Sequence, residues 1–421
     1  QPQGEIVNIE IEAKPVVSFA MANSGINPIR AIRVSSEDAT LESAQLIVQV
    51  RDAITPLSHP VTRDIHLEPL QQVEFTDFIN ILAPEKMRQV EETRQGEVAV
   101  WLVKGQQTLA TQRLPLTVLA HSHWLGSPFG LAMEMLSAHV MPNAPEIASL
   151  MVRVADYLQQ FTSDSSIDGY QSGDPQRVDQ IVAASYAAMA EKGINYANPP
   201  ASWEQAGQKV RTPAEVLGGR LGTCLDLSVV LAAVLEQCGL HPLLLMLEEH
   251  ALVGYWREEV NSGSAFLAES GDLVNRVDLG MIGVVETTCI PHKTPFFEAV
   301  AEAKTRIQDG LLGASDIVAA RQLGIRPLPA ISHGNGVIQV HEYKPAVHSR
   351  PRLAEVPAPL SRTTHPRKAE KEPPTRVRHW KNRLLDLSLR NRLIHFTPRS
   401  SIELILSADD LPLVEDLLNA G

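Results

Sequence analysis

Thr212-Pro-Ala-Glu-Val-Leu-Gly-Gly-Arg-Leu-Gly-Thr-Cys-Leu-Asp-Leu-Ser228, running on through Cys238-Gly-Leu-His-Pro242 to His250-Ala-Leu-Val-Gly-Tyr-Trp256, is where the fold is decided. Thr212, with Pro213 after it and Glu215 three positions on, spells a capping box with proline at the first helical position, so a helix starts there. A second helix is predicted from Cys224 to Gln237, directly after a glycine-containing turn, with Gly239 where a left-handed C-cap residue belongs. Pro242 to Leu247 is an all-apolar run of the length of a buried strand, and His250 to Trp256 reads as its neighbour.

Upstream, Ile147, Leu150, Met151, Val154 and Leu158 recur on one helical face. A further helix is expected from Pro175 to about Lys192, stopped by Gly193, with a polar loop from Thr162 to Gly173 between the two. The first 118 residues have a different rhythm. Ala44, Leu46, Val48 and Val50 alternate with Gln45, Ile47 and Gln49; Val98, Val100, Leu102 and Leu114, Leu116, Val118 repeat the period of two. Asn23-Ser24-Gly25 and Lys104-Gly105 supply turn signals. Short strands without long intervening helices predict a small β-sandwich, whose expected job is packing or partner binding.

Downstream, seven prolines fall between Pro345 and Pro374, which predicts an extended linker. An apolar stripe of Trp380, Leu384 and Leu387 then marks renewed order in a stretch too short for a complete domain. The expected organisation is 1–118 β-sandwich, 119–330 an α+β domain, 331–375 proline-rich linker and 376–421 the start of a further domain. Because the chain starts at Gln1 and stops just after a short helix begun near Ser407, a longer parent protein is expected.

Composition narrows the classes. The 421 residues are 44% hydrophobic and 20% charged, which excludes a wholly disordered or collagen-like chain. No apolar run approaches the ~20 residues that cross a bilayer, so no membrane partner is expected. Three cysteines fit a reducing compartment, and with no signal-peptide pattern at the start the expected location is the cytoplasm. The net charge is −12, yet residues 341–400 hold 14 Lys and Arg against 5 Asp and Glu. A basic stretch on an acidic body suggests either a solvated linker or a nucleic-acid contact through Arg376, Arg378, Lys381, Arg383, Arg390 and Arg392. Trp380 and Phe396 are the sparse aromatics there, so base stacking is not indicated. The sequence implies nothing about oligomeric state.

Chemistry concentrates at Cys224. The first turn of a helix presents unpaired N–H groups and about half a positive charge, which favour a thiolate and lie near enough to hold an oxyanion. Such a nucleophile needs a base and a group to orient it. His250 opens a strand 26 residues later, and Glu286 lies in the strand-like run Gly-Val-Val-Glu-Thr-Thr-Cys-Ile290. Cys238 and Cys289 read as small core residues. His121-Ser-His123 and Cys289-x-x-His292 are half-sites for zinc without complementary pairs, so neither metal nor other cofactor is expected.

Taken together, Tyr196, Arg-Thr-Pro-Ala-Glu-Val-Leu217, Gly-Thr-Cys-Leu-Asp-Leu-Ser228, Cys238-Gly-Leu-His-Pro242, His250-Ala and Val285-Glu-Thr-Thr288 resemble the transglutaminase-like fold of the papain-type cysteine superfamily, over about residues 193–290. That family reads glycine-x-Cys-x-Asp, then Gly-Ile-Pro, His-Ala-Trp and Asp-Pro-Thr. The resemblance implies helices packed on an antiparallel sheet, and Cys224 as nucleophile, His250 as base and Glu286 as the group that orients it. It departs from the family at Glu286, where Asp is usual, and in the 36-residue gap from His250, where Asn261-Ser-Gly-Ser264 reads as an inserted turn. Asp272 and Asp278 therefore stay in contention for the third position. Oxyanion donors could be the Cys224 main-chain N–H or the side chains of Gln208 or Trp203. The activity implied is cysteine-thioester hydrolysis of a peptide or isopeptide bond in a protein substrate; the alternative is an inactive scaffold or sensor.

Trp380-Lys-Asn-Arg-Leu-Leu-Asp-Leu-Ser-Leu-Arg-Asn-Arg-Leu-Ile394 resembles the opening of a domain that precedes the motor of large bacterial superfamily-one helicases, several of which belong to phage-defence islands. This second resemblance implies a nucleic-acid translocase beyond Gly421. No phosphate-binding loop occurs in the chain, so ATP hydrolysis is not expected of it.

Overall fold

The computed structural model describes residues 7–37, 40–198, 207–334 and 337–341, with side chains up to residue 330. Two compact units divide the chain, Gln1–Pro345 and Ala346–Gly421, and every described residue lies in the first. Its architecture is mixed α/β with several sheets.

Alternating sequence becomes paired strand in the first third. Strands Leu41–Asp52 and Arg94–Lys104 run antiparallel, placing Leu46 opposite Leu102, Val48 opposite Val100 and Val50 opposite Val98, all fully buried. Gln107–Val118, Val61–Leu67 and the short Val16–Val17 complete a five-stranded sheet. Val7–Ala13, Ile29–Ser36 and Gln72–Phe75 make a three-stranded one. Ile9, Ile32 and Val34 from the smaller sheet share one apolar core with Val48 and Val98 from the larger. Asn23-Ser24-Gly25, expected as a simple turn, ends a six-residue helix, Phe19–Ser24. Ser18 caps its start and Gly25, at φ 68°, its end. Six residues are too few for a helical period to show in sequence.

The helices of the middle third follow their signals. Pro145–Thr162 and Pro175–Ala190 pack on each other, and the central helix Cys224–Gln237 packs on both. Beyond it lies an antiparallel five-stranded sheet in the order Phe266–Leu267, Leu311–Asp316, Pro242–Leu247, His250–Trp256, Ile282–Val285. Leu244, Met246, Ala251 and Val253 join the core of the Cys224 helix. On the opposite face Leu243, Leu245, Leu252 and Trp256 join a core with Leu273, Val277, Ala303 and Ile307, from helices Ser270–Asp278 and Phe296–Gly310. A strand with helices on both faces has no solvent side, which is why Pro242–Leu247 is continuously apolar.

One expectation is corrected. The linker placed at 331–375 is entered through two antiparallel strands, Ala330–Gly334 and Val337–His341. The β-branched run Val337-Ile338-Gln339-Val340 is a strand signal that the neighbouring prolines obscured. The remaining linker and the 376–421 readings lie outside the described residues.

Candidate active site

Cys224 is the first residue of its helix. Thr223 caps the helix: its hydroxyl accepts from the Asp226 N–H at 3.2 Å, and the Asp226 carboxylate accepts from the Thr223 N–H at 2.9 Å. Asp226 is completely buried and is held from its other side by Arg211, whose main-chain N–H and guanidinium each donate at 2.7 Å. The turn that presents the sulfur is thereby fixed from both directions. Asp226 stood within the quoted motif, but its role as the buried anchor of this turn shows only in three dimensions.

His250 and Glu286 meet beside Cys224. His250 opens its strand at the end of the hairpin formed with Pro242–Leu247, and its Nε2 lies 2.8 Å from Glu286 Oε2. Glu286 follows the strand Ile282–Val285 and caps a short 3-10 turn, Thr287–Cys289. With Nε2 committed to the carboxylate, Nδ1 is the ring nitrogen left for the thiol. A second set of bonds holds the three segments in register. Ser228 Oγ donates to the Ala251 carbonyl at 3.2 Å and lies 2.9 Å from Thr287 Oγ1, and the Thr287 hydroxyl lies 3.4 Å from the Cys224 carbonyl. Ser228 and Thr287 are fully buried, so these hydroxyls have no water to turn to.

The Glu286 carboxylate has no solvent exposure, and its environment compensates. Oε1 accepts from the Thr288 N–H at 2.9 Å and from the Thr288 hydroxyl at 2.7 Å. Arg306 Nε lies 3.1 Å from Oε2, with its N–H not aimed along the contact, so this is an ion pair rather than a hydrogen bond. Burial pushes the Glu286 carboxyl up, but the hydrogen bond and charge of His250 and the two bonds from Thr288 outweigh it, and its pKa is lowered. Burial likewise pushes the His250 imidazole down, yet the Cys224 side chain and Glu286 raise it to about 9. Cys238 differs. Burial in the apolar core lifts its thiol to about 12, against a weaker opposing bond from Ser185. Cys289 is also raised, first by burial and then by the Glu286 charge.

Cys224 itself is 4% exposed and opens on a small recess shared with Trp124, Gln208, Met246, Glu249 and His250. Gln208 is buried there, and one amide hydrogen is spent on Thr223 Oγ1 at 3.2 Å, leaving the other. Trp203 lies outside the described residues. Sequence reasoning missed Tyr196 as part of the site. Its phenol lies against Cys224, and it is raised to about 12 by burial and then by the Cys224 side chain. Its place at the head of the quoted motif was the available signal. Of the rival acids, Asp272 is an exposed helix residue paired with Arg276 at 2.7 Å, and Asp278 ends the same helix at the surface. It is Glu286 that the fold brings to His250.

The half-site His121-Ser-His123 makes ordinary contacts. His121 Nδ1 lies 3.2 Å from the Val90 carbonyl and His123 Nδ1 lies 3.3 Å from the Thr93 hydroxyl. Among the described residues, no group of three or more His, Cys, Asp or Glu side chains is placed to hold a metal ion, and no helix is long and apolar enough to cross a membrane. Compared with protein-family models, with curated proteins and with solved structures, the chain has no match.

Proposed function

We propose that this chain carries a transglutaminase-like cysteine hydrolase, with an N-terminal β-sandwich, that cleaves a peptide or isopeptide bond. The observation that carries the reading is the meeting of Cys224, His250 and Glu286 from three separate segments, with Nε2 and Oε2 2.8 Å apart. In the acylation step the Cys224 sulfur attacks the carbonyl carbon and the carbonyl electron pair moves to oxygen. The main-chain N–H of Cys224 and the free amide hydrogen of Gln208 stand as donors for that oxyanion. His250 delivers the thiol's proton to the nitrogen, the C–N bond breaks and an amine departs from a thioester. In the second step His250 takes a proton from water, the hydroxide oxygen attacks the thioester, and the C–S bond breaks to return the thiol and a carboxylic acid. Glu286 stays ionised and holds the imidazole in the tautomer that this exchange requires.

The test is labelling of the whole chain with iodoacetamide at neutral pH, read by mass spectrometry at each cysteine. Cys224 modified faster than Cys238, with the excess abolished by His250→Ala, supports the reading; equal rates sink it. A second reading is a scaffold or sensor of the same fold, and the 4% exposure of Cys224 is what favours it. It predicts slow labelling throughout and no cleavage of a peptide library. Nucleic-acid contact through residues 376–399, and with it attachment to a helicase in phage defence, rests on charge and wording in sequence outside the described residues. Duplex binding that is insensitive to salt, or unchanged on deletion of 376–399, removes it.

A further inference from the structure

Behind the catalytic turn lies a cavity of about 440 Å³, within the range of sites that bind small molecules. The segment Lys209–Glu215, which begins one residue after Gln208, forms one wall. Phe19, Arg88 and His121 come from the N-terminal layer, and His139, Met141 and Glu146 close it from the helical side. Phe19, Met141 and Leu328 give it apolar surface enough for a hydrocarbon group.

Its charges sort into satisfied and unsatisfied groups. Lys209 is paired with Glu215 at 2.6 Å, and Arg211 with Asp226 at 2.7 Å. Arg88 and Glu146, both half-buried, have no ion-pair partner among the described residues. They bring one positive and one negative residue to a lining that is part polar and part apolar, Glu146 from the first turn of the helix Pro145–Thr162. His139, 5% exposed, also borders the cavity. Its backbone turn is firmly built, because Arg321 donates to the Ser137 and Val140 carbonyls at 3.0 and 2.8 Å. A neutral imidazole so placed can donate to a carboxylate or accept from an ammonium group.

We propose that this cavity binds a small zwitterion with an apolar side chain, of the α-amino acid class, its carboxylate on Arg88, its ammonium on Glu146 and its side chain against Phe19, Met141 and Leu328. A simple anion would leave Glu146 repelling it, and a simple cation would meet Arg88. The matched pair of residual charges selects the molecule that carries both.

Three probes separate the cases: L-leucine, 4-methylpentanoate, which lacks the ammonium group, and leucinamide, which lacks the carboxylate. Binding to the full 421-residue chain is measured by calorimetry, with thermal melting as the check on folding. Leucine is expected to bind saturably below about 10 mM and both analogues at least about tenfold more weakly. Arg88→Gln and Glu146→Gln, both at half-buried positions, each weaken leucine by at least about tenfold, and Ala214→Phe, which fills the space, abolishes binding. The proposal is overturned by the absence of saturable leucine binding, by an analogue that binds as well as leucine, or by leucine binding unaltered in the Arg88 and Glu146 variants.

Discussion

Three hydrogen-bond donors, His250 Nε2 and the Thr288 N–H and hydroxyl, converge on the two oxygens of Glu286, a side chain with no solvent exposure that Arg306 also faces as an ion-pair partner. Glu286→Gln retains the shape but puts an NH2 group where only donors now point, so one donor must face another. The expected result is a fall of about 10²–10⁴-fold in any cysteine-dependent cleavage and an imidazole that titrates well below its present value of about 9, read by NMR. An unchanged titration would remove Glu286 from its assigned role. The same groups set a pH dependence. His250 is raised from an ordinary value of 6.5, so its stabilisation is complete below about 6.5 and lost as pH rises through about 9. Glu286 is lowered, so its contribution is present above the ordinary 4.5 and lost as pH falls through its depressed folded value. Urea titrations should show stability greatest between those limits and declining by up to about 3 kcal/mol toward pH 9, a decline that His250→Gln removes. At this scale Cys224, His250 and Glu286 were singled out because each has distinctive neighbours, with Asp272 and Asp278 left as rivals for the third place. Tyr196 and Thr287 stood inside the quoted motif without a role assigned to them, and Arg306 was not legible, since an arginine carries no signal of the partner it will face.

At the scale of elements, the strand that delivers Glu286 depends on a glycine. A Cβ on Gly283 would overlap the ring of Tyr255, on the neighbouring strand. Tyr255 is buried and its hydroxyl is tied to Asp179 at 2.9 Å, so the ring has nowhere to move. Gly283→Ala is expected to cost about 1–3 kcal/mol, visible in the melting temperature, and to displace Glu286 enough to slow the proposed cleavage beyond what the stability loss explains. Wild-type stability would show that the strand can shift freely. Thr287→Val tests the hydroxyl bonds that join the Cys224 helix, the His250 strand and the Glu286 turn. Leaving Ser228 Oγ short of a partner should cost about 1–3 kcal/mol, and an unchanged melting temperature would show that the contact contributes nothing. The helix start at Pro213 was readable because capping is written in three or four adjacent residues, and the one at Cys224 from the glycine-containing turn before it. The helix Phe19–Ser24 and the strands after Ala330 were too short or too masked by prolines for a period to emerge.

For the described molecule as a whole, the sequence boundary near residue 118 does not coincide with a break in packing. The core between the first two sheets also takes in Met135, Ala138, Ala320 and Ile325 from far along the chain. Arg321 strengthens this union, pairing with Glu236 at 3.0 Å while it binds the carbonyls around His139. Denaturant unfolding of residues 1–345 is therefore expected to be one transition by both tryptophan fluorescence and circular dichroism. Two separated transitions would show that the layers fold apart. Composition could not foretell this, because it reports where a pattern changes along the chain and not which distant alanine fills which gap.

That shared interior also restricts how such a chain can be rebuilt. A hybrid gene that exchanged the first 118 residues for another β-rich module would leave Met135, Ala138, Ala320 and Ile325 as plugs without sockets. Any workable exchange must recast both sides of the seam together, so the N-terminal layer is inherited with its neighbour rather than shuffled as a cassette.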